Sequence, residues 1–147
     1  MGVGFWVGLG RRLLGRWREP PGADSGRWGE DQAERHLQRR GYRCLGKRVR
    51  VGRRGELDLI MRDGETLVFI EVKTRGDEEF GRPVAAVNAR KRRAICRAAI
   101  GYLRLLGFPR RMFRFDVVEV IGTPEDGAPH EIRHLENVFP LDRRYRI

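Results

Sequence analysis

The sequence predicts an α/β chain of the α+β kind, with a mixed central β-sheet flanked by helices. Three observations carry this expectation. Helix-like and strand-like patterns follow one another in the order α-β-β-β-α-β-β. Two apolar runs flank Asp63-Gly64, the strongest short signal for a β-hairpin turn. Into those otherwise buried-looking strands the sequence inserts Glu56, Asp58, Glu71 and Lys73. Charges are expensive inside a sheet unless they are paired or hold a metal.

At 147 residues the chain is long enough for one domain with a proper core. We expect a flexible basic and apolar segment over 1–22 and a folded domain over 23–147. In the first segment Met1 to Leu9 is apolar and Gly-rich, but the arginines follow it. That is the wrong order for a secretory signal, and the run is far too short to span a membrane. Leu13, Leu14 and Trp17 among Arg11, Arg12, Arg16 and Arg18 could form a basic amphipathic turn. A floppy tail ended by Pro20-Pro21-Gly22 is the preferred reading.

Asp24 or Ser25 is placed to cap a helix running to about Arg40 and stopped by Gly41. Ala33 and Leu37 follow Glu30 at helical spacing, so Glu30 shares the apolar face. In isolation it reads as a rim residue. Tyr42 to Val51 reads as the first strand, and Gly52-Arg53-Arg54-Gly55 as a turn whose arginines are either solvated or phosphate contacts. Side chains alternate along a strand, so Glu56, Asp58 and Ile60 share a face, as do Leu67, Phe69, Glu71 and Lys73. A two- or four-residue loop centred on Asp63-Gly64 puts Asp58 opposite Phe69 and Glu56 opposite Glu71. Asp58 is then a diagonal neighbour of Glu71, roughly 7–8 Å away. Carboxylates converging from that distance can share one hard divalent ion, with Lys73 beside them.

After a polar loop at Gly76-Asp77-Glu78-Glu79, Gly81-Arg82-Pro83 should open a second helix. Its stripe is Val84, Val87, Lys91, Ile95, Ala98, Tyr102 and Leu105, ended by Gly107-Phe108-Pro109. Lys91 interrupts that stripe, and alone it reads as a snorkelling lysine. Arg90-Lys91-Arg92-Arg93 is otherwise a solvated basic face, usable for backbone contacts. Met112 to Ile121 alternates as a strand, with Phe113, Phe115 and Val117 on one face and Asp116 on the other. Gly122 to Pro129 is a loop, Ile132 to Val138 a short edge strand, and Leu141 to Ile147 a basic tail. His130 and His134 have ligand-like spacing but lack a third partner, and read as structural or exposed. Cys44 and Cys96 are too few and too far apart for a disulfide framework or zinc site, which fits a reducing, cytoplasmic compartment.

Asp58, twelve intervening residues, then Glu71-Val72-Lys73 resembles the D…(D/E)xK core of restriction-endonuclease-like nucleases. The fuller string is GELDLI, FIEVKTR, Phe80-Gly81, Lys91 and RFDVVEV. It is similar to the YraN-like bacterial family of predicted endonucleases, over about Gly29 to Phe139. D…ExK alone is weak; with the flanking strands and the upstream helix it becomes fairly specific. The chain departs from the pattern at Arg48, near which the resemblance leads us to expect Asn.

The resemblance implies a restriction-endonuclease-like fold, closest in layout to archaeal-type Holliday junction resolvases. It implies a catalytic set of Glu30, Asp58, Glu71 and Lys73. The metal ligands would be Glu30, Asp58, Glu71 and the backbone carbonyl of Val72, holding Mg²⁺ or Mn²⁺. Arg75 and Lys91 would bind phosphate, and a homodimer is expected by analogy with the resolvases. Net charge is +11, and all but three of the 31 basic residues are arginine. Arginine offers forked donors to phosphate, so the balance favours a polyanionic partner, a nucleic acid and in the first place DNA. Codon bias explains the Arg:Lys ratio equally well, but not the excess of charge. The function expected is metal-dependent phosphodiester hydrolysis, with a non-catalytic nucleic-acid-binding module as the alternative. No integral membrane segment is expected.

Overall fold

The computed structural model describes residues 24–53, 55–76 and 87–145. They form helix α1 (Asp24–Arg39), strands β1 (Arg43–Val51), β2 (Gly55–Asp63) and β3 (Thr66–Arg75), helix α2 (Ala89–Leu105), and strands β4 (Phe113–Ile121) and β5 (Glu131–Leu135). The strands lie in chain order in one sheet, β1-β2-β3-β4-β5. Only the central β3–β4 pair is parallel. The mixed sheet flanked by helices is thus the architecture the sequence led us to expect. Residues 1–23, Arg54, residues 77–86 (Val84 among them) and residues 146–147 lie outside the described residues.

Alternation on the two central strands gives each helix its own face. Leu67 and Phe69 of β3 and Phe115 and Val117 of β4 pack with Ile95, Ala98, Ala99 and Tyr102 of α2. Val68, Ile70, Val118 and Val120 point the other way, against Ala33 and Leu37 of α1. Phe69 anchors the α2 side, with Tyr102, Phe113 and Phe115 ring centroids 6.0, 6.1 and 5.8 Å from its own. Full burial of each such side chain contributes about 1.5–3 kcal/mol, so the centre of the sheet carries much of the apolar stabilisation of the described residues.

Small residues set how closely the helices approach. A Cβ at Gly29 would lie 1.8 Å from Thr74 Oγ1, so only glycine allows α1 to cross the end of β3 there. That contact delivers the neighbouring Glu30 to the end of the sheet where β3 carries Glu71 and Lys73.

Several boundaries differ from expectation. The hairpin loop is Gly64-Glu65, because Asp63 pairs with Thr66. Gly64 takes φ +55, and glycine at the first loop position is what a tight hairpin favours. This register keeps the expected parity but brings Asp58 level with Glu71, not Phe69. Asp24 and Ser25, expected to cap α1, lie inside it. Helix α2 starts at Ala89, not at Gly81-Arg82-Pro83, because Asn88 is extended and its side chain accepts the Lys91 N–H at 2.9 Å. Leu105, expected on the buried stripe, is 51% exposed, and Leu106 packs on the core instead. Strand β5 stops at Leu135, short of Val138. Asn137 turns left-handed (φ +51) and donates its N–H to Asp116 at 2.8 Å, drawing the chain off the ladder.

Candidate active site

The hairpin carrying the acids is zipped only part of the way. Backbone pairing of β2 with β3 runs from Asp63↔Thr66 to Leu59↔Ile70 and stops there. Asp58 and Glu71 occupy the next position. Where the strands part, the Asp58 carboxylate takes over as acceptor: Val72 N–H donates to Asp58 Oδ2 at 2.9 Å. On its other side β2 is loosened as well. The β1–β2 register pairs Lys47 with Leu59 and Val49 with Leu57, and passes Arg48 and Asp58 without pairing them. Asp58 therefore sits, half-buried, in a local gap of the sheet.

Glu71 is only 5% exposed and is answered by two ammonium groups. Its Oε1 lies 3.1 Å from Lys73 Nζ and 3.3 Å from Lys91 Nζ. Lys73 follows two residues later on the same side of β3. Lys91 arrives from the first turn of α2, where the Asn88 cap sets the position of its backbone. The stem of Lys91 does not simply escape to water; its charge is used on Glu71.

Electrostatics mark the pair as strained. Burial and then the nearby Glu71 charge push the Asp58 carboxyl up to about 7, with Glu30 adding to the rise and the Val72 N–H and Lys91 opposing it. Lys91 is held above its ordinary value: burial works against this, but Glu71 and Asp58 outweigh it.

The other expected residues take different places. Glu30 is 8% exposed, and its Oε2 lies 2.5 Å from Arg48 Nε. Burial raises its pKa despite Arg48, and Glu56 adds to the rise. Arg75 is half-buried on β3 and contributes its positive field to Glu119. Glu119 was not anticipated. It is 1% exposed, neither carboxylate oxygen has a hydrogen-bond partner, and Arg133 Nη1 stands off at 4.0 Å. It pairs with Lys73 in the β3–β4 register. An acid inside the apolar run Val117–Ile121 was the available signal. Asp58, Glu71, Lys73 and Lys91 are thus brought together, while Glu30 turns to Arg48 and Arg75 lies within electrostatic reach of Glu119.

The donor set can be tested against a divalent ion. Among the described residues no group of three or more His, Cys, Asp or Glu side chains is placed to hold a metal. Asp58 and Glu71 nevertheless fit two positions of such a site. Both offer hard carboxylate oxygens, and their mutual repulsion is what a dication relieves. Val72 touches the site through its N–H, which Asp58 engages.

These observations define an α+β chain with a paired-carboxylate, two-lysine cluster at the frayed end of a mixed sheet. A profile described as the uncharacterised protein family UPF0102 matches residues 29–120, and the chain belongs to that family. It is 47% identical over 114 residues to a UPF0102 protein of Symbiobacterium thermophilum, covering 78% of this chain and 94% of the relative. It is 42% identical over 114 residues to one from Chlorobaculum tepidum, covering 76% and 88%. A third, from Porphyromonas gingivalis, is 42% identical over 118 residues, covering 80% and 85%. The YraN-like kinship expected from the motifs holds at this level. No helix among the described residues is long and apolar enough to cross a membrane.

Proposed function

We propose that the chain is a metal-dependent nuclease that hydrolyses phosphodiester bonds of nucleic acid, with DNA the first substrate to try. The observation that carries this reading is the Asp58–Glu71 pair, level with each other in a sheet gap and flanked by the Lys73 and Lys91 ammonium groups. The resemblance to the D…ExK nucleases supports it, and so does the +11 net charge.

Asp58 and Glu71 would hold Mg²⁺ or Mn²⁺, with Glu30 and the Val72 carbonyl as the remaining candidates. When bound, such an ion supplies positive charge to a phosphate oxygen and makes water more acidic. Lys73 sits beside Glu71 with its ammonium free to turn toward a phosphate, where it stabilises charge growing on the non-bridging oxygens. Lys91 and Arg75 hold neighbouring phosphates, and the surrounding arginines neutralise the backbone. A second reading, a binding module without turnover, is favoured by one detail: Glu71 is already neutralised by two lysines.

Cleavage of nicked, branched, single-stranded and RNA substrates with Mg²⁺ or Mn²⁺ separates the two. In the nuclease reading Glu71→Gln abolishes cleavage and leaves nucleic-acid binding intact or tighter, because one carboxylate's repulsion of phosphate is removed. Lys73→Met should slow turnover on the order of 10²–10³-fold with little effect on binding. Absence of cleavage by the wild-type chain on every substrate would leave the binding module.

A further inference from the structure

We propose that Arg48 is a built-in cation that keeps Glu30 out of the metal-binding set, so that the ion is carried by Asp58 and Glu71. The proposal rests on the nuclease reading only for the presence of an ion.

The backbone is the first observation. Arg48 adopts φ +48, a conformation that side chains other than those of Asn, Asp and Gly rarely take. A β-strand gains nothing from it, and it falls where the β1 register passes Asp58 without pairing. The consequence is to take the side chain out of strand alternation and send it across to α1.

The second observation is the seat it finds there. Arg48 Nε meets Glu30 Oε2 at 2.5 Å, with the Arg48 side chain only 20% exposed. One helical turn before Glu30, Gly26 lies alongside the guanidinium: a Cβ there would be in ordinary van der Waals contact with Arg48 Nη2, at 3.7 Å. Gly26 and Glu30 are four residues apart and so share a helix face. Helix α1 thus offers the guanidinium a charged partner at Glu30 and van der Waals contact beside it at Gly26.

The third observation is the company. Glu30 is the main influence holding the Arg48 guanidinium above its ordinary value, burial opposes it, and Glu56 and Asp58 add to it. Arg48 therefore serves the acids on the β1 side of Asp58, as Lys73 and Lys91 serve Glu71 on the β3 side. A guanidinium offers donors in a fixed fork and does not lose its proton, so Arg48 keeps its charge beside Glu30 at any working pH. It also adds a fixed positive charge where a third carboxylate would otherwise attract a dication.

The test is calorimetric titration of Mn²⁺ and of Mg²⁺ into the full chain, without nucleic acid. The variants are Glu30→Gln, Arg48→Asn, the double variant and Asp58→Asn. Asn suits the left-handed backbone of position 48 and frees Glu30. The expected pattern is Glu30→Gln within about twofold of wild type, Asp58→Asn weaker and Arg48→Asn tighter, each on the order of 10-fold. Adding Glu30→Gln to Arg48→Asn should return affinity to the wild-type level, which a merely structural role for Arg48 would not do. Binding by Arg48→Asn alone, with none by wild type, also supports the proposal. A loss in Glu30→Gln equal to that in Asp58→Asn overturns it, and so does no gain in Arg48→Asn. No binding by any variant overturns it too, and the cleavage panel then reads the nuclease proposal separately. If Arg48→Asn does not fold, Arg48→Gly, which also suits the left-handed backbone and frees Glu30, takes its place.

Discussion

Asp116 and Asp58 are acids of the same sheet, and the two ends of the sheet's buried charge, one around each, are built on opposite principles. Asp116 pairs with Ile70 in the β3–β4 register, one step from Glu71, but points into the α1 layer. Arg114 Nε donates to both its oxygens at 3.0 and 3.2 Å, and the Asn137 N–H reaches Oδ1 at 2.8 Å. His134 Nε2, in a ring almost fully buried against Tyr42, lies 2.8 Å from Oδ2. Burial alone would raise Asp116, yet bonds from His134, Arg114 and the Asn137 N–H hold it below the usual carboxylate range. Asp58 receives one backbone N–H, is crowded by Glu71, and rises to about 7. An acid with all its donors supplied from within is architecture. An acid left short of them, beside another acid, is a place for something brought from outside.

The largest effect that would break this contrast is at the architectural end. Asp116→Ala strips the acceptor from buried His134 and leaves half-buried Arg114 with only Asp63, Glu136 and the Tyr42 hydroxyl, and should lower stability by about 3–5 kcal/mol in urea denaturation. A loss under about 1 kcal/mol would mean the network is decorative. At the other end the sign should invert. The Asp58 pKa is higher in the folded chain than in the unfolded one, so the folded state holds its proton longer. Without divalent ions, stability should fall as pH rises from about 4 to about 7 and level off above. Asp58→Asn should flatten that slope and raise stability at pH 8 by roughly 1–3 kcal/mol, measured by denaturation in chelator. Unchanged or lower stability would place Asp58 with Asp116. The smallest effect sharpens the rule at Glu119, which burial raises against the pull of Arg75 and Arg133. Glu119→Gln should change stability by no more than about 1 kcal/mol, in the stabilising direction, in the same assay.

The sheet was legible because its signals are local and periodic. Leu67, Phe69 and Val68, Ile70 alternate without exception, and parity alone put Asp58 and Glu71 within reach of each other. The turn was displaced to Gly64-Glu65, but the two-residue change left that parity untouched. Helix α2 was placed too early because Pro83 and the Val84–Val87 spacing look helical, whereas the side chain of Asn88 supplies the cap. His134 with Asp116 was not legible, since it depends on which residues of β4 and β5 face each other across a long loop. Nor was the Glu30–Arg48 pair. No periodic pattern announces a left-handed arginine inside a strand.

One feature of the sheet bears on how the molecule behaves in concentrated solution. Among the described residues β1 is an edge strand, and its outer positions Arg43, Lys47 and Arg50 are all exposed. Edges are templates for pairing with another copy, and lysine or arginine along them is a common safeguard. Two β1 edges brought to the usual strand spacing of about 4.8 Å would face each other well inside the Debye length of about 8 Å at physiological salt. Their positive charges would then repel almost unscreened. Lys47 is partly neutralised by Asp31 and by Glu34 at 2.7 Å, and Arg50 by Glu56 at 3.6 Å. The same arginines that suit a phosphate backbone therefore keep the bare chain dispersed. A polyanion that covered them would remove that protection, so solubility would depend on what lies along this one strand.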